Sequence, residues 1–405
     1  MNKYLKNNIS LILKIFLYLQ PVIDLVTGIM INYFNINITI GMIIRFIFLL
    51  FIIYFYLFVK KNNSKYKIIY LISVFIFIVI SSILVIFNKD TYVLSYELSN
   101  ILKVFYFPLL ITIIDKDDIN IKYDDIINVG IIYLILIAIP NIFNISYNSY
   151  TQGKIGSVGL FNSGNEISAI LSIITPFIIY YLFNKNNNYK KVLLIILMLY
   201  TYFTIGSKII IISLILSIIF NIYLYLKNNK INNKKIIIGS LLLVLLIILG
   251  IYIIPKTNFY YNIKLHLNFL GINNFNDIFT FKFIDRFIFS DRLTYLIDTN
   301  NIFIESNILN KVFGIGFITN YATDLINLKI IEMDFFDIFY RTGLIGFILF
   351  IIPLVFNIKD IFKNSEPIIK FSIILALIIS LLVGHTLTAP SVSILIVFVV
   401  KYMKR

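Results

Sequence analysis

The feature that most constrains this chain is a run of about a dozen apolar segments whose lysines fall on alternate connections. A membrane-spanning helix needs roughly 20 predominantly apolar residues, and these segments approach that length. The connections rich in lysine are 60–67, 184–191, 227–235 and 357–370. The connections at 33–38 and 384–390 carry no lysine or arginine. Because cytoplasmic loops retain Lys and Arg, this alternation predicts a multi-pass membrane protein with a defined orientation.

The segments predict an all-α, polytopic integral membrane protein that forms one membrane domain over residues 1–405. The twelve expected spans are 10–31, 38–59, 67–87, 94–114, 126–143, 164–183, 190–204, 206–226, 236–254, 335–356, 368–384 and 390–403. An even number of spans places both termini on one side, and the basic tails predict that this side is the cytoplasm. The bias towards Ile, Asn, Lys and Phe, without Trp, is typical of an AT-rich bacterial genome. The expected location is therefore a bacterial cytoplasmic (inner) membrane.

One connection, 255–334, is long, and the predicted topology places it outside the cytoplasmic membrane. It carries seven basic and eight acidic side chains, so it is close to neutral. Aromatic and aliphatic residues recur among these charges at helical spacing. We expect a large external loop of several helices that lie against the membrane surface or over a central cavity.

The composition excludes several classes of protein and site. The chain is 60% hydrophobic and 14% charged, against roughly 25% charged residues in a soluble domain. The net charge of +15 comes mostly from short cytoplasmic connections, where it orients helices, so no nucleic-acid partner is expected. The chain has no cysteine and two histidines, which excludes disulfides, thiolate ligands and a cysteine nucleophile. No metal or cofactor is predicted.

Several charged residues fall inside apolar segments. Such charges cost a few kcal/mol on insertion scales, and they usually face a cavity or a partner. They are Asp24, Arg45, Glu97, Lys103, Glu166 and Lys208. Asp24 either faces a cavity or pairs with Arg45 or Lys103. Such a pair would be a buried structural ion pair. Glu97 is expected near the outer surface, where solvation alone would explain it.

The predicted topology brings four polar groups towards the outer leaflet, on the side of the long loop. They are Glu166, Lys208, Arg341 and His385. Such a group predicts a site that opens outward to an anionic substrate, because Arg and Lys both bind diphosphate well. For His385 the sequence leaves open a position at a helix end or in a cavity wall.

The long loop and the start of the next span carry further candidates. Arg286 and Arg292 either pair with nearby aspartates on a helix surface or bind substrate. Glu332, Asp334 and Asp337 suit the dipole at a helix start, and Asp337 with Arg341 forms an i,i+4 pair. Alternatively, one of these carboxylates acts as the general base for an acceptor hydroxyl.

The order of these motifs resembles the O-antigen ligase and polymerase superfamily of bacterial surface polysaccharide enzymes, over nearly the whole chain. The motifs that carry the resemblance are QPVIDLVTG (20–28), IIR (43–45), KVFYFP (103–108), GSVGLFNSGNEISAIL (156–171), TIGSKIII (204–211), FSDRLTYL (289–296), NKVFGIGF (310–317), EMDFFDIFYRTGLIGFI (332–348) and GHTLTAPSVS (384–393). Individually they are weak. Their order, with one large external loop before the third-last helix, is specific.

The resemblance implies a helical membrane fold akin to the polyprenyl-dependent type-C glycosyltransferases. It implies a donor glycan linked to undecaprenyl diphosphate, which a ligase or a polymerase passes to different acceptors. A basic residue after the GS turn and an arginine of the long loop would hold the diphosphate, and Lys208 and Arg292 match these positions. Arg341 and Arg45 are further candidates for diphosphate binding. The expected cavity-lining residues are Asn165, Glu166 and His385.

The chain departs from the family pattern where ligases carry a histidine just before the helix that ends in GLIG. Here the sequence reads Glu332-Met333-Asp334. We therefore expect Glu332 or Asp334 to serve as the catalytic base, and the difference favours a polymerase over a ligase.

The sequence supports three hypotheses. The first is a metal-independent membrane glycosyltransferase that polymerises or ligates lipid-linked repeat units for capsule, exopolysaccharide or O-antigen. Its partners would be the undecaprenyl-diphosphate-linked glycan, the bilayer and further polysaccharide-assembly proteins. The alternative is a flippase or transporter of lipid-linked oligosaccharide, which has no need of a long ordered external loop. The third is a scaffold that assembles other polysaccharide enzymes.

Overall fold

Long apolar helices make up most of the described chain. The computed structural model describes residues 2–36, 39–60, 64–88, 93–148, 156–184, 188–228, 264, 267–268, 271, 280–321, 324–326 and 330–401. Helices α1 to α8 are Asn2–Asn32, Ile40–Tyr54, Lys65–Asn88, Leu94–Ile113, Tyr123–Ile142, Gly164–Asn184, Asn188–Ile205 and Lys208–Asn228. Helices α9 to α14 are Phe281–Phe283, Arg292–Glu305, Ile308–Phe313, Asp334–Asn364, Pro367–Leu382 and Pro390–Lys401.

Short irregular elements complete the described structure. A π-helix over Phe55–Val59 continues α2, and a second over Ile284–Phe289 continues α9. One 3₁₀ turn lies at Lys116–Asp118. Strands β1 (Thr319–Tyr321) and β2 (Asp324–Ile326) form one antiparallel hairpin.

Eight helices within the described residues are long and apolar enough to cross a membrane, so the prediction of an all-α multi-pass membrane protein is confirmed. A helix covers every expected span except 236–254, which lies outside the described residues. The described part of the 255–334 loop holds α9 to α11 and the hairpin. Its predicted external position stays a prediction.

The last two helices are short, and their bounds agree with the predicted spans within two residues over the described chain. Helix α13 has 16 residues and the described part of α14 has 12. At 1.5 Å per residue, twelve residues extend about 18 Å, less than the roughly 30 Å of a hydrocarbon core. The connection between them, 383–389, packs into the protein, with Thr386 and Leu387 fully buried. Irregular backbone is tolerated at membrane depth only when protein surrounds it in this way.

Helices α4, α6 and α14 form the centre of the bundle. Helix α4 packs against α3, α12 and α14, and α6 packs against α5, α8 and α13. Every residue of α14 from Ser391 to Lys401 is buried. By contrast, α3, α7 and α8 expose large apolar side chains such as Phe75, Leu193 and Ile219, and these faces suit contact with lipid tails.

The turn at Gly314–Gly316, which we call the glycine turn, joins the long loop to α12 through backbone hydrogen bonds. Gly343, with φ 67°, interrupts α12, and this leaves the carbonyls of Tyr340 and Arg341 to accept hydrogen bonds from the amides of Ile315 (3.0 Å) and Gly316 (3.2 Å). A Cβ at Gly314 would overlap the carbonyl of Arg341. The turn and the helix backbone therefore approach as closely as glycine allows.

The same turn is held from the other side by α4. The carboxylate of Glu97 accepts hydrogen bonds from the amides of Phe317 (2.9 Å) and Ile318 (2.9 Å). Glu97 is 1% exposed. The interpretation of Glu97 as a merely solvated surface residue is therefore wrong, because its charge is satisfied by backbone donors of the long loop.

Candidate active site

The start of α10 and the segment just before α12 meet through an ion pair. Arg292 Nη2 lies 2.5 Å from Glu332 Oε2. The Arg292 side chain is almost completely buried, and its Nη1 also donates to the carbonyl of Phe289 at 3.0 Å. Glu332 is more open, with about 35% of its side chain exposed. A buried arginine and a partly exposed carboxylate are therefore in direct contact, although forty residues separate them in sequence.

The two arginines of the long loop have different surroundings. Arg286 Nε lies 3.7 Å from Asp291 Oδ1, and both side chains are about half exposed, as expected of a helix-surface pair. Asp285 is buried and accepts a hydrogen bond from the amide of Leu293 at 2.8 Å, so it holds the start of α10. Arg292 differs from Arg286, because its ion-pair partner is Glu332 and not a neighbouring aspartate.

Glu332 is held in a constrained backbone conformation. Its φ is 61°, in the left-handed region that side-chain-bearing residues rarely adopt. A Cβ at Gly384 would overlap the carbonyl of Glu332, so the α13–α14 connection packs directly on this residue. His385 Nε2 lies 3.8 Å from Glu332 Oε1, and Asn165 Nδ2 lies 3.4 Å from Oε2. We call Arg292, Glu332, His385 and Asn165 the Glu332 cluster.

Asp334 is surrounded by hydrogen-bond donors. Its buried carboxylate accepts five hydrogen bonds, from the hydroxyls of Ser380 (2.9 Å) and Thr388 (2.5 Å) and from the amides of 385–387 (3.0, 2.9 and 2.8 Å). A carboxylate surrounded by five donors has little capacity left to accept a proton from substrate. These contacts favour a structural role for Asp334, and its assignment as a base stays a prediction. Asp334 fixes the connection that carries His385, and Glu332 remains the stronger candidate.

A cavity of about 340 Å³ adjoins the Glu332 cluster. His385 belongs to both, since it lines the cavity and faces Glu332. The charged residues that line the cavity are Asp24, Arg45, Lys103, Glu166, Asp337 and His385. The volume falls in the range of small-molecule sites. For His385, the cavity-wall alternative describes its position better than the helix-end alternative.

Arg45 lines this cavity but is committed to a protein partner. Its Nη2 forms an ion pair with Asp24, and its Nε donates to Gln20 Oε1 at 2.9 Å. The second oxygen of Asp24 accepts from the hydroxyl of Tyr133 at 2.6 Å. The structural ion pair that the sequence left open is therefore present, with Arg45 as the partner of Asp24.

Arg341 and Lys208 do not line the cavity. The buried Arg341 guanidinium donates to the carbonyl of Gly316 at 3.1 Å, so it supports the glycine turn. The Lys208 ammonium donates to the carbonyl of Phe287 and lies 3.7 Å from the centre of its ring. Lys208 therefore contacts the π-helix that precedes Arg292.

The remaining candidates divide between the two regions. Asn165 contacts Glu332, whereas Glu166 lines the cavity and accepts a hydrogen bond from the Ser391 hydroxyl. Asp337, expected to pair with Arg341, accepts hydrogen bonds from the amides of Ile331 (3.1 Å) and Met333 (3.3 Å). These amides belong to the segment that carries Glu332, so Asp337 helps to shape it.

The sequence marked Lys103 as a charge that faces a cavity or a partner, but did not assign it to the site. Lys103 and Asn100 lie one turn apart on α4, and both line the cavity. Their i,i+3 spacing places them on one helix face, and that pattern was a signal available in the sequence. Of the two candidate partners for Asp24, Arg45 rather than Lys103 takes that position.

Comparison with protein families gave a match over nearly the whole chain. A family profile described as O-antigen ligase like membrane protein matches residues 6–276 and 281–404. The match takes in every residue of the Glu332 cluster and every charged residue of the cavity wall. Neither the curated proteins nor the solved structures contained a match to this chain.

Proposed function

This chain belongs to the O-antigen ligase-like family of membrane proteins, and from that premise we propose that it transfers a glycan from undecaprenyl diphosphate to an acceptor. The family membership is consistent with ligation or polymerisation of a surface polysaccharide. Between the two we propose polymerisation, in which the acceptor is a further lipid-linked repeat unit.

The proposed reaction breaks one bond and forms one. An acceptor hydroxyl attacks the anomeric carbon of the donor sugar, and the bond between that carbon and the diphosphate oxygen breaks. Undecaprenyl diphosphate leaves with the bonding electron pair. The hydroxyl proton passes to a base of the site. Because the leaving group is already activated and side-chain cations can stabilise it, no metal is needed in this scheme.

The observation that carries this proposal is the contact of Arg292 with Glu332 beside a cavity. Arg292 offers a guanidinium to the diphosphate, and Lys208, which contacts the segment before Arg292, is proposed as a second cation. Glu332 is partly exposed and lies within reach of a substrate hydroxyl, with His385 3.8 Å away. We assign Glu332 as the acceptor-activating base and His385 as its neighbour in proton transfer.

The position of His385 affects the choice between ligase and polymerase. The segment before α12 lacks the histidine of ligases, but the α13–α14 connection brings an imidazole to the same carboxylate. The missing histidine is therefore weaker support for a polymerase than the sequence alone indicated. The proposal keeps the polymerase as first choice and the ligase as the outcome to exclude.

The proposal also includes an orientation. Both termini lie in the cytoplasm of a bacterial inner membrane, and the Glu332 cluster faces outward, where a flipped lipid-linked unit is available. The support is the pattern of basic connections, because loops rich in lysine, such as 60–67 and 357–370, are typical of the cytoplasmic side.

A deletion strain of the native host tests the function. For a polymerase, single lipid-linked repeat units accumulate on the outer face of the membrane and no long glycan forms. Single units retained on the inner face would mean a flippase. Long glycan that stays on its lipid carrier would mean a ligase. Normal surface glycan in the deletion strain would reject the proposal.

A further inference from the structure

One positively charged side chain that lines the cavity beside the Glu332 cluster, Lys103, has no role in the proposed reaction. We propose that Lys103 is a phosphate-binding residue, which receives a phosphate or diphosphate group that enters this cavity. The inference rests on the proposed function for one possible source of that group, the headgroup of the lipid carrier. The shared chemistry is a phosphate anion, whether it comes from a lipid or from solution.

The contacts of Lys103 set it apart from the cations that the sequence singled out. Arg292 forms an ion pair with Glu332, and Arg45 forms one with Asp24. Within the part of the chain that the structure describes, the Lys103 ammonium makes one hydrogen bond, to Asn100 Oδ1 at 3.3 Å, and no ion pair. It is thus a cavity-lining cation without a carboxylate in direct contact.

The environment makes an uncompensated charge at this position costly. Lys103 lies in the middle of α4, one of the central helices of the bundle. An ionisable residue within a membrane segment usually pairs with a partner or serves a substrate. A neutral amide oxygen at 3.3 Å is a weak partner for an ammonium group, which has three donors. The remaining donors suit an anionic ligand.

The carboxylates around the cavity do not fill this role. Asp24 is held by Arg45 and Tyr133. Asp337 accepts hydrogen bonds from two backbone amides. Glu166 shares the cavity with Lys103, and its carboxylate accepts the Ser391 hydroxyl. Among the described residues, each of these acids has a donor other than Lys103. Glu166 lies near enough to interact with the Lys103 charge but forms no ion pair with it, so ammonium donors of Lys103 remain available to a ligand.

The position of the cavity connects Lys103 to the reaction. His385 links the cavity to the proposed reaction, because it lines the cavity and its Nε2 lies 3.8 Å from Glu332 Oε1. A phosphate group bound by Lys103 would therefore share this cavity with the imidazole that contacts the proposed base.

Binding to the purified full-length protein in detergent tests this inference. The probes are undecaprenyl diphosphate and inorganic pyrophosphate, each measured with wild type, Lys103→Gln, Lys103→Arg and Lys190→Gln. Lys190 is an exposed lysine at the start of α7 and serves as the matched control. We expect Lys103→Gln to weaken binding by about tenfold or more, the loss of one charged hydrogen bond. Lys103→Arg and Lys190→Gln should retain binding.

The probes separate the possible sources and the possible failures. A loss with the lipid alone identifies a lipid headgroup, and an equal loss with pyrophosphate identifies a general phosphate site. If wild type binds both probes and Lys103→Gln binds them equally well, the inference is wrong. If wild type binds pyrophosphate through Lys103 but not the lipid, the inference holds and the proposed function loses its substrate. Lys103→Met, which keeps the apolar stem, replaces the glutamine variant should that variant fail to fold.

Discussion

The imidazole of His385 faces the carboxylate of Glu332, with Nε2 3.8 Å from Oε1. Both residues have positive φ, 50° for His385 and 61° for Glu332. Strained conformations of this kind persist only where the surrounding structure enforces them, and they cluster at functional sites. Here the enforcing contacts are those of Asp334 with the backbone of 385–387 and of Gly384 with Glu332.

Gly384→Ala should separate His385 from Glu332. Gly384 has φ 80°, and a Cβ there would overlap the Glu332 carbonyl, so the connection must shift. We expect loss of stability of about 1–3 kcal/mol, as for strained backbone sites, and loss of glycan transfer. Thermal unfolding in detergent and glycan analysis in the host measure the two effects. A variant with wild-type stability and wild-type glycan would contradict the close packing described here.

Asp334 and Glu332 should respond differently to substitution. Asp334→Ala leaves buried donors of the 385–387 backbone without an acceptor, at about 1–3 kcal/mol for each unsatisfied group. We expect Asp334→Ala to lower the unfolding temperature strongly, because several buried donors lose their acceptor. Glu332→Gln keeps an oxygen that can accept from Arg292 but removes the counter-charge of that buried guanidinium, so it should lower the unfolding temperature by less than Asp334→Ala and reduce transfer by about 10²–10⁴-fold. Unfolding and transfer are measured for both variants. An unchanged unfolding temperature for Asp334→Ala, with transfer lost, would favour Asp334 as the base.

The ion pair of Asp24 with Arg45 should be structural. Removing one partner leaves a buried charge, which costs about 3–5 kcal/mol. We expect Asp24→Asn and Arg45→Gln each to destabilise the protein, and the double variant to be less destabilised than the sum of the two. A double-mutant cycle of unfolding free energies gives this coupling. Strictly additive effects would show that the two side chains do not interact in the folded protein.

Glu97→Gln should loosen the long loop without touching the Glu332 cluster. The substitution removes the charge that accepts the amides of Phe317 and Ile318. We expect faster hydrogen exchange at these two amides, because hydrogen bonds to a charged acceptor are worth about 1.5–3 kcal/mol. Exchange at α14 provides the internal control. Unchanged protection at 317 and 318 would argue against the contact.

Much of the fold was predictable because the bilayer imposes a simple requirement on length and polarity. Hydropathy placed α2 to α8, α13 and the described part of α14 within a few residues, since a spanning segment must be apolar throughout. It underestimated α1 and α12: α1 begins at Asn2 rather than at residue 10, and α12 continues to Asn364 rather than to residue 356, because a helix can extend beyond its apolar stretch into polar sequence.

The site was less predictable, because its partners are distant in sequence and often lie on the backbone. Asp334 looked like a base since its five donors come from residues 380–388, about fifty positions away. Glu97 gave no sign that the amides of 317 and 318 would satisfy it. The choice of Arg292 and Glu332 came from the family resemblance and their charges, and only the structure places them in contact.

The most direct test of the account is glycan transfer by purified protein, reconstituted in lipid with repeat units on undecaprenyl diphosphate from the native host. Wild type should lengthen the lipid-linked glycan and release undecaprenyl diphosphate. Arg292→Ala and Glu332→Gln should each abolish both products, while Arg286→Ala, which alters a half-exposed arginine six residues from Arg292, should retain them. Transfer at the wild-type rate by the Arg292→Ala and Glu332→Gln proteins would contradict the assignment of this pair to the reaction.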